Sequence, residues 1–449
     1  MSKGGYRHQV YLPIGLPYLA AVLEKDEHEI EVIDCEALEI DHEKLGLKLA
    51  SIKPNVVGIT STTPTIQSAL QSARVAKEAC PNVVVVLGGP HATFMDEQIL
   101  NDEAAVDIIV RGEGEQTISE LMHHVLDFGS LHEVAGITFR KDGQIIRTPN
   151  RPLIQDLDEL PYPAYKYFPL RKYQIAGRLI LPVITSRGCP FQCSFCVSTQ
   201  MFGKKFRMRR VKNVVDEIEW LRDTYGADAF TFYDDAFTLD IERAIEICDE
   251  IKRRKIGIPW SCQTRVDHVS KRILAKMREA NCEIVYFGVE SGSQEILDAV
   301  GKETSIQQNE KAIKWAKDAG LVVIISLVIG YPGETVDTLE QTLDLVRRLK
   351  PDDAYLCVAT PYPGTDFYRF IEENGWELSP DWNLYDTTTP VFETPSISKD
   401  KILEMRKKFV DDFYSPFYIL RQMVKGKFYN RFLARIALSH LVWRIRSRL

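Results

Sequence analysis

The chain has 449 residues, of which 45% are hydrophobic, so it is long enough for two or three domains that each bury a core. Its net charge of -7 gives no support to a general nucleic-acid binder, which would usually be basic. The sequence shows no signal-peptide pattern and no apolar window long enough to span a membrane. We therefore expect a cytoplasmic chain whose nine cysteines stay reduced.

Residues 1–145 alternate short apolar runs with helical patterns. The apolar runs predict strands at 29–34, 56–61, 83–89 and 106–112, followed by a hairpin that turns at Asp142-Gly143. Strands and helices that alternate at this spacing predict a doubly wound α/β domain with a parallel sheet. Such a sheet normally opens with a buried strand, and here the first strand is missing or truncated because a helical pattern comes first.

A linker rich in proline and aromatic residues, 146–175, leads into a second alternation of strands and helices over 176–385. Its predicted strands are 179–185, 229–235, 258–264, 284–290, 322–330 and 354–363. Six βα units are two short of a closed barrel, so we predict an open, six-stranded partial (β/α)6 TIM barrel. In such folds the chemistry takes place at the C-terminal ends of the strands.

Residues 386–449 form a helical C-terminal region. After Asp412 the chain has no acidic residue but eight lysines or arginines, and 429–449 has the pattern of a basic amphipathic helix. Two interpretations stay open for this tail. It is either a docking helix with a solvated basic face, or a peripheral contact with a membrane surface or an anionic substrate.

Three of the nine cysteines, Cys189, Cys193 and Cys196, lie within eight residues on the loop that follows the first predicted barrel strand. The nearest histidines in the sequence are His132 and His268, so no fourth ligand lies nearby. Thiolates favour both zinc and iron–sulfur clusters. A 4Fe-4S cluster with three protein ligands leaves one iron open to a cofactor or substrate, whereas a structural zinc site would lack its fourth ligand.

The C-x3-C-x2-C spacing, with the aromatic Phe195 directly before the last cysteine, resembles the radical S-adenosylmethionine superfamily. The resemblance extends from about residue 180 to 375 and agrees with the six-stranded barrel. It implies that the open iron binds the amino and carboxylate groups of S-adenosylmethionine. It also implies that an electron from the cluster cleaves this cofactor to methionine and a 5'-deoxyadenosyl radical, which abstracts hydrogen from an unreactive carbon.

The same resemblance implies binding residues for S-adenosylmethionine at the ends of the later strands. Asp234 and Asp235 match the position that binds the methionine amino group, and the choice between them stays open. Arg265 would pair with the methionine carboxylate, because arginine favours bidentate carboxylate binding. For each of these charged residues, a structural ion pair is the competing interpretation.

Two further matches concern the nucleoside half of S-adenosylmethionine. Glu290 and Ser291 end the fourth barrel strand, where the superfamily places a ribose contact. Gly330, in the sequence VIGYPGET, ends the fifth strand and resembles the adenine-side loop, where a glycine lets the backbone approach a ligand closely.

The N-terminal segment resembles the flavodoxin-like, cobalamin-binding domain that precedes the barrel in one large subgroup of this superfamily. Ligands of such sheets bind beyond the C-terminal strand ends. The implied cobalamin contacts are Thr60, Ser61, Thr62, Thr63, Gly88, Gly89, His91 and Glu113. The Asp-x-His-x-x-Gly motif that supplies a cobalt ligand in other cobalamin proteins is absent, as is common in this subgroup. We therefore interpret His91 as a hydrogen-bonding residue rather than a cobalt ligand.

Taken together, the residues and the resemblance predict a cobalamin-dependent radical S-adenosylmethionine enzyme that methylates an unactivated carbon. An oxidative cyclase of the magnesium-protoporphyrin monomethyl ester type and a lipid-modifying radical enzyme are the alternatives. The implied partners are a small-molecule substrate and an electron donor such as ferredoxin or flavodoxin. If the basic tail and the aromatic linker contact the substrate, it would be large and hydrophobic. A non-catalytic redox sensor, a structural zinc protein and a nucleic-acid-modifying enzyme are the other classes considered.

Overall fold

The structure is a computed structural model. It describes residues 10–126, 129–175 and 177–425, together with Tyr429, Asn430, Leu433, Ala434 and Leu438. Two sheets organise the chain, one in the N-terminal part and one in the barrel.

The N-terminal sheet has five strands in the order β1-β2-β3-β4-β5. They are Val56–Thr60 (β1), Val84–Gly88 (β2), Ile108–Val110 (β3), Ile137–Lys141 (β4) and Gln144–Arg147 (β5). The first three strands are parallel, and the last two form the predicted antiparallel hairpin. Its turn residues, Asp142 and Gly143, have φ of 51° and 75°, as a tight two-residue hairpin turn requires.

Helices cover both faces of this sheet, as the doubly wound prediction requires. They are Gly15–Lys25 (α1), His42–Ile52 (α2), Ile66–Ala79 (α3), Pro90–Phe94 (α4), Asp96–Asp102 (α5) and Glu115–Leu126 (α6). Val85 and Leu87 pack on the face covered by α2 and α3, whereas Val86 packs on the face covered by α1 and α6. This alternation follows from the two-residue period of a strand.

The predicted strand at 29–34 is wrong, because this segment forms no strand in the structure. In a flavodoxin-like sheet the opening strand lies between the second and third strands of the chain. No strand precedes β1 among the described residues, so 29–34 has no neighbour with which to form a ladder. Side chains hold the segment instead: Ile33 packs against the core, and Asp34 accepts a hydrogen bond from Tyr173 at 2.6 Å.

The second sheet has six strands, all parallel, in the order β13-β12-β11-β10-β9-β6. They are Ile180–Val183 (β6), Ala229–Phe232 (β9), Trp260–Arg265 (β10), Cys282–Glu290 (β11), Val322–Ile329 (β12) and Asp353–Val358 (β13). The six-stranded partial barrel is therefore present as predicted. A short antiparallel pair, Ser186–Arg187 (β7) and Arg207–Met208 (β8), was not predicted and lies between β6 and β9 in the chain.

Helices alternate with these strands and continue beyond the last of them. They are Ser198–Phe202 (α7), Val211–Tyr225 (α8), Ile241–Arg253 (α9), Lys271–Glu279 (α10), Gln294–Ala299 (α11), Ile306–Asp318 (α12), Val336–Leu349 (α13), Asp366–Glu373 (α14), Lys399–Phe413 (α15) and Pro416–Lys425 (α16). Phe230, Phe232, Val285 and Phe287 are buried in the main core cluster, to which these helices contribute. Residues between them, such as Tyr286, therefore line the inner face of the barrel.

The linker of residues 146–175 packs into the core rather than only crossing a surface. It begins within β5, and Tyr165 is fully buried while its hydroxyl donates a 2.8 Å hydrogen bond to the Pro182 carbonyl.

The C-terminal region packs on the barrel, because Tyr414 donates a hydrogen bond to Asp353 and holds the end of α15 to the start of β13. The tail helix predicted at 429–449 lies outside the described residues except for five positions. Within the described part of the chain, no helix is both long and apolar enough to cross a membrane.

Candidate active site

The three clustered cysteines lie on a loop, residues 188–206, that begins and ends at the short β7–β8 pair. Gly188 has a φ of +90°, and a Cβ atom there would lie 2.3 Å from the Lys205 carbonyl oxygen, so the closure of the loop requires glycine. The loop is also held from the barrel side, because the Ser194 amide donates to the Val300 carbonyl at 2.9 Å. The thiols therefore lie beside the C-terminal end of the first barrel strand, as predicted.

All three thiols are partly buried, and burial is the main cause that raises the pKa of each. The pKa of Cys196 is raised to about 11, and the nearby Asp235 carboxylate adds to the rise at Cys189 and Cys196. The positive charges of Lys302 and Arg265 act in the opposite direction on Cys193. Within the described residues, no group of three His, Cys, Asp or Glu side chains is arranged to hold a single metal ion.

The two aspartates after β9 have different surroundings. Asp234 is buried, and it accepts hydrogen bonds from the Thr185 amide at 2.7 Å, from the Ser186 hydroxyl at 2.6 Å and from the Thr185 hydroxyl. Asp235 remains accessible to solvent, although the surrounding protein raises its pKa by desolvation. Since the charge of Asp235 acts on the cysteines and the acceptors of Asp234 are occupied, Asp235 is the carboxylate available to a ligand.

Arg265 lies beside the cysteine loop but most of its guanidinium is already bound. Its Nε and Nη2 atoms both donate to Asp267 at 2.9 Å, and Nη2 also donates to the Lys302 carbonyl. The guanidinium carbon lies 3.5 Å from the centre of the Phe191 ring, and Nη1 lies 3.8 Å from the Cys193 sulfur. Only Nη1 faces the cysteines, so the expected bidentate contact with a carboxylate would require the Asp267 pair to open.

Glu290 forms an ion pair with Lys302 at 2.7 Å, and both residues are buried. Glu290 has a φ of +64°, a strained conformation that non-glycine residues adopt mainly where function or close packing demands it. A Cβ atom at Gly288 would lie 2.4 Å from the Glu290 carboxylate and 2.7 Å from the Lys302 ammonium, so the pair lies directly over this glycine. Ser291, in contrast, is fully buried, and its hydroxyl lies 3.3 Å from that of Thr342.

Sequence reasoning missed Lys302, because a lysine after a helix usually lies in solvent, and nothing local shows that this one folds back onto Glu290. It also missed Glu334, which follows β12. Glu334 accepts a hydrogen bond from the Gly330 amide, and burial raises its pKa to about 8. Gly330 itself has a φ of +91°, but the side chain of Ile402 occupies the space beside it.

Unpaired polar atoms near the fifth strand fit a polar ligand. The second carboxyl oxygen of Glu334 and the Tyr331 hydroxyl are buried with no hydrogen-bond partner in the structure. Phe195, the aromatic residue of the cysteine motif, packs against the Tyr331 ring at 5.6 Å between ring centres. Buried polar atoms without protein partners are places where a polar ligand would find hydrogen bonds.

The residues expected to contact cobalamin divide into exposed and structural positions. Thr60 and Thr62 are exposed, whereas Ser61 and Thr63 are buried. Gly88 and Gly89, expected to leave room for the cofactor, also differ. A Cβ atom at Gly89 would lie 2.3 Å from the Ser61 carbonyl oxygen, so the protein itself fills the space beside this glycine. A Cβ atom at Gly88 would lie 3.6 Å from its nearest neighbour, the Val110 carbonyl oxygen, which is an ordinary contact distance.

His91 is buried against the barrel part of the chain. Its ring lies edge-on to Trp382 with 4.9 Å between ring centres, and Nδ1 lies 3.2 Å from the Thr63 hydroxyl. Burial lowers the pKa of His91 to about 4, so the ring is neutral at physiological pH. These contacts give His91 a hydrogen-bonding and packing role.

Glu113 is buried at the junction of the two parts of the chain. Its carboxylate accepts hydrogen bonds from Arg187 at 2.9 Å, from Arg207 at 2.9 Å and from the Ile154 amide at 2.8 Å. The side chains of Glu113 and the two arginines are each at most 7% exposed. All of these partners of the Glu113 carboxylate are protein groups, whereas the resemblance implies a contact with cobalamin.

The inner face of the barrel is polar and aromatic. Tyr233 and Tyr355 are 43% and 45% exposed, and Tyr355 stacks on Tyr286 with 6.5 Å between ring centres. Gln263 is exposed at the same level of the sheet as Tyr286, its partner in the ladder. This surface presents aromatic rings and hydrogen-bonding groups, and the hydroxyls of Tyr286 and Tyr355 also interact with Tyr429.

Comparisons with known proteins agree with these features. The sequence matches the Radical SAM superfamily over residues 183–346 and the B12 binding domain over residues 5–122. An uncharacterized methyltransferase from Pyrococcus horikoshii is 37% identical and aligns with 90% of this chain and 87% of its own length. The anaerobic magnesium-protoporphyrin IX monomethyl ester cyclase of Rubrivivax gelatinosus is 35% identical over 87% of this chain and 72% of that protein. The cytidylyl-2-hydroxyethylphosphonate methyltransferase of Streptomyces wedmorensis is 30% identical over 89% and 86%.

Two solved structures share the whole architecture. The cobalamin-dependent S-adenosylmethionine radical enzyme OxsB has a TM-score of 0.75 at 18% identity and covers 96% of this chain and 69% of its own. The radical S-adenosylmethionine methyltransferase TsrM from Kitasatospora setae, with cobalamin and a 4Fe-4S cluster bound, has a TM-score of 0.70 at 20% identity over 82% and 73%. At these identities the likeness concerns the fold, and it confirms the predicted combination of an N-terminal sheet and a partial barrel.

The pH dependence of stability tests the burial of His91. Because the folded state lowers the pKa of His91 from 6.5 to about 4, the unfolded state binds its proton first as the pH falls. Neutral His91 therefore makes its full contribution to the free energy of unfolding above pH 6.5. This contribution decreases between pH 6.5 and 4, by about 3 kcal/mol in total. We expect the difference in unfolding free energy between wild type and His91→Gln, from urea titrations, to shrink over this range. The surface variant His42→Gln should keep the wild-type profile, and a His91→Gln difference that stays constant with pH would contradict the assignment.

Proposed function

We propose that this chain, which belongs to the cobalamin-dependent radical S-adenosylmethionine enzymes, methylates an unactivated carbon of a small molecule. The observation that carries this proposal is the loop of three free thiols beside an accessible carboxylate at the C-terminal end of the barrel. When bound, the cluster supplies the electron that cleaves S-adenosylmethionine, and cobalamin carries the methyl group. The protein binds and orients the cofactors and excludes water.

Cys189, Cys193 and Cys196 would hold the cluster, and the charged residues around them suit the amino-acid half of S-adenosylmethionine. Asp235 is the proposed partner of its ammonium group, since Asp234 is occupied by three donors. Arg265, through Nη1, faces the same space and would attract its carboxylate. A charge-assisted hydrogen bond of this kind contributes more than a neutral one.

The nucleoside half would lie across the fourth and fifth strands. Glu290, held at positive φ by the pair with Lys302, is the proposed ribose contact. Glu334 and Tyr331 present unpaired polar atoms on the side where the superfamily resemblance places the adenine. Gly330 contributes here through its backbone conformation. The buried Ser291 supports the turn that begins at Glu290, because its hydroxyl oxygen accepts a hydrogen bond from the Ser293 amide.

For cobalamin, the surface beyond the N-terminal strands offers Thr60, Thr62 and Gly88. The first two are exposed at the C-terminal end of β1, and Gly88 ends the neighbouring β2. We propose that these three contact the cofactor, while Ser61, Thr63, Gly89 and His91 build the surface beneath. Ligands of doubly wound sheets bind at this end of the strands.

A cyclase is the second candidate, because the Rubrivivax gelatinosus relative carries that activity in its name and is 35% identical. Both reactions begin with the cleavage of S-adenosylmethionine, so the residues described do not separate them. The polar and aromatic inner face of the barrel would accept a substrate with rings and hydrogen-bonding groups in either case.

We propose a small electron donor such as ferredoxin or flavodoxin as the protein partner.

Product analysis tests the function. We expect protein reconstituted anaerobically with iron, sulfide and cobalamin to form S-adenosylhomocysteine and 5'-deoxyadenosine in equal amounts from S-adenosylmethionine and a reductant. Deoxyadenosine alone would favour the cyclase, and neither product from protein with an intact reduced cluster would contradict both. Cys196→Ala should abolish both products, because the cluster loses a ligand. Cys80→Ala, which changes a partly buried thiol in the N-terminal part, should keep both.

Substitution of Asp234 and substitution of Asp235 should have different effects on the enzyme. Asp235→Asn should raise the KM for S-adenosylmethionine roughly ten- to hundredfold, because one hydrogen bond to a charged group is lost, with little change in iron content. Asp234→Asn should instead reduce the iron bound per chain, because it removes an acceptor for Thr185 and Ser186 at the start of the cysteine loop. Iron analysis and KM values on each variant decide the assignment, and the reverse pattern would contradict it.

We also propose a cytoplasmic protein that contacts the membrane surface through α16. Phe417, Leu420 and Val424 lie at helical spacing on one side of this helix and are 67%, 58% and 78% exposed. The chain after Asp412 has eight lysines or arginines and no acidic residue, a composition that suits anionic lipid headgroups.

Vesicle binding tests this contact. We expect the full chain to sediment with phosphatidylcholine vesicles that contain phosphatidylglycerol and less with vesicles of phosphatidylcholine alone. Replacement of Phe417, Leu420 and Val424 together by serine should release the chain, since the apolar contact is lost. Leu47→Ser, a change at an equally exposed leucine (70%) in α2, is the matched control. Equal sedimentation of all three proteins would refute a role for α16.

A further inference from the structure

Both ends of the cysteine loop are held by one carboxylate from the other part of the chain. Glu113 follows β3 of the N-terminal sheet, whereas Arg187 ends β7 and Arg207 begins β8. Arg207 donates to both oxygens of Glu113, at 3.0 and 2.9 Å, and Arg187 donates to one of them at 2.9 Å. The loop between the two arginines carries Cys189, Cys193 and Cys196.

The charges at this junction balance. Glu115, two residues after Glu113, accepts a hydrogen bond from Arg187 at 2.5 Å, so two carboxylates face two guanidinium groups. All four side chains are at most 7% exposed. Burial has the largest single influence on the pKa of Glu115 and would raise it, but the charge and hydrogen bond of Arg187, a backbone hydrogen bond and the charge of Arg207 together lower it. The junction is therefore a buried cluster of two ion-paired carboxylates and two guanidinium groups.

The linker joins the same junction. The Ile154 amide donates to Glu113 at 2.8 Å, and the Ile154 carbonyl accepts from Arg207 at 2.5 Å. Arg207 also donates to the Phe202 carbonyl at 2.9 Å, at the end of the helix that follows the cysteines. Glu113 thus connects the N-terminal sheet, the linker and both ends of the loop.

The backbone alone does not fix this loop strongly. The β7–β8 pair consists of two residues on each side, Ser186–Met208 and Arg187–Arg207. A ladder of this length contributes little independent stability. The side chains of Arg187 and Arg207, which point from the ladder to Glu113, add a constraint to those from Asp234 and from the Ser194 amide.

We infer that Glu113 is a positioning residue that sets the place of the cysteine loop relative to the N-terminal sheet. This inference deepens the proposed function, because it assigns to the junction the alignment of the cluster site with the cobalamin site. Glu113 itself would touch neither cofactor. Its effect would pass through Arg187 to the residues before Cys189 and through Arg207 to the residues after Cys196.

Hydrogen exchange on the full chain tests the inference without any cofactor. Glu113→Gln keeps the shape of the side chain, but it removes the charge and directs an amide donor at one of the two arginines. We expect amide exchange in residues 188–206 to accelerate about tenfold, while α12, which packs on β11 and β12, away from β6 in the strand order, keeps its wild-type rates. A variant that merely destabilised the protein would accelerate both.

Iron retention gives a second measurement on the same variant. After anaerobic reconstitution, Glu113→Gln should lose iron to a chelator several-fold faster than wild type, because the loop that holds the thiols opens more often. Glu120→Gln is the matched control, since Glu120 lies on α6 and pairs with Arg151 of the linker but does not touch the loop. It should leave both the exchange of 188–206 and the rate of iron loss unchanged.

A milder variant keeps the test decisive if Glu113→Gln does not fold. Glu115→Gln removes one partner of Arg187 and leaves the bridge of Glu113 in place, so a smaller acceleration confined to 188–206 is expected. Wild-type exchange in this loop, in a folded Glu113→Gln or, failing that, in Glu115→Gln, would overturn the inference. Because the exchange measurement involves no S-adenosylmethionine, a failure of the proposed reaction would not affect its outcome.

Discussion

The position of the cysteine loop depends on two buried carboxylates, one from the barrel and one from the N-terminal part of the chain. Asp234, at the end of β9, accepts hydrogen bonds from Thr185 and Ser186 just before the loop. Glu113, from the N-terminal part, binds Arg187 and Arg207 at its two ends. Buried charges persist only when they are paired and hydrogen-bonded, so each carboxylate requires its partners in place. The loop geometry is therefore fixed by carboxylates whose oxygens accept hydrogen bonds from the protein itself.

Acidic residues of the same type have different roles in this site because their surroundings differ. Asp234 and Asp235 are neighbours in the chain, but one is enclosed by three donors and the other remains accessible near the thiols. Glu290 takes a strained backbone conformation to face Lys302, whereas Glu113 lies in a balanced ion cluster. The surroundings, and not the residue type, decide which carboxylates are available to a ligand.

Much of the fold could be predicted from the sequence because its signals are local. The six barrel strands follow from apolar runs separated by helical patterns, and the C-x3-C-x2-C spacing lies within a single loop. The error at 29–34 has a tertiary cause: a strand needs a neighbour, and the pattern of one segment does not show whether the neighbour exists. The packing of Gly89 against Ser61 likewise depends on the approach of two strand ends that are far apart in the chain.

The site was harder to predict for the same reason. Lys302 reaches Glu290 only because the chain turns back after α11, and Glu113 meets Arg207 across 94 residues of sequence. The sequence around Glu113 therefore does not show whether its carboxylate faces a cofactor or a buried arginine. The family resemblance implies a cofactor contact for Glu113, and the structure shows its hydrogen bonds with Arg187 and Arg207.

In the proposed site, Cys189, Cys193 and Cys196 hold a cluster whose fourth iron is open to S-adenosylmethionine. Electron paramagnetic resonance of the reduced, reconstituted protein tests this most directly. We expect the spectrum of the cluster to change when S-adenosylmethionine is added, because the cofactor binds the open iron. An identical spectrum with and without saturating S-adenosylmethionine, in protein with a full complement of iron, would contradict the account.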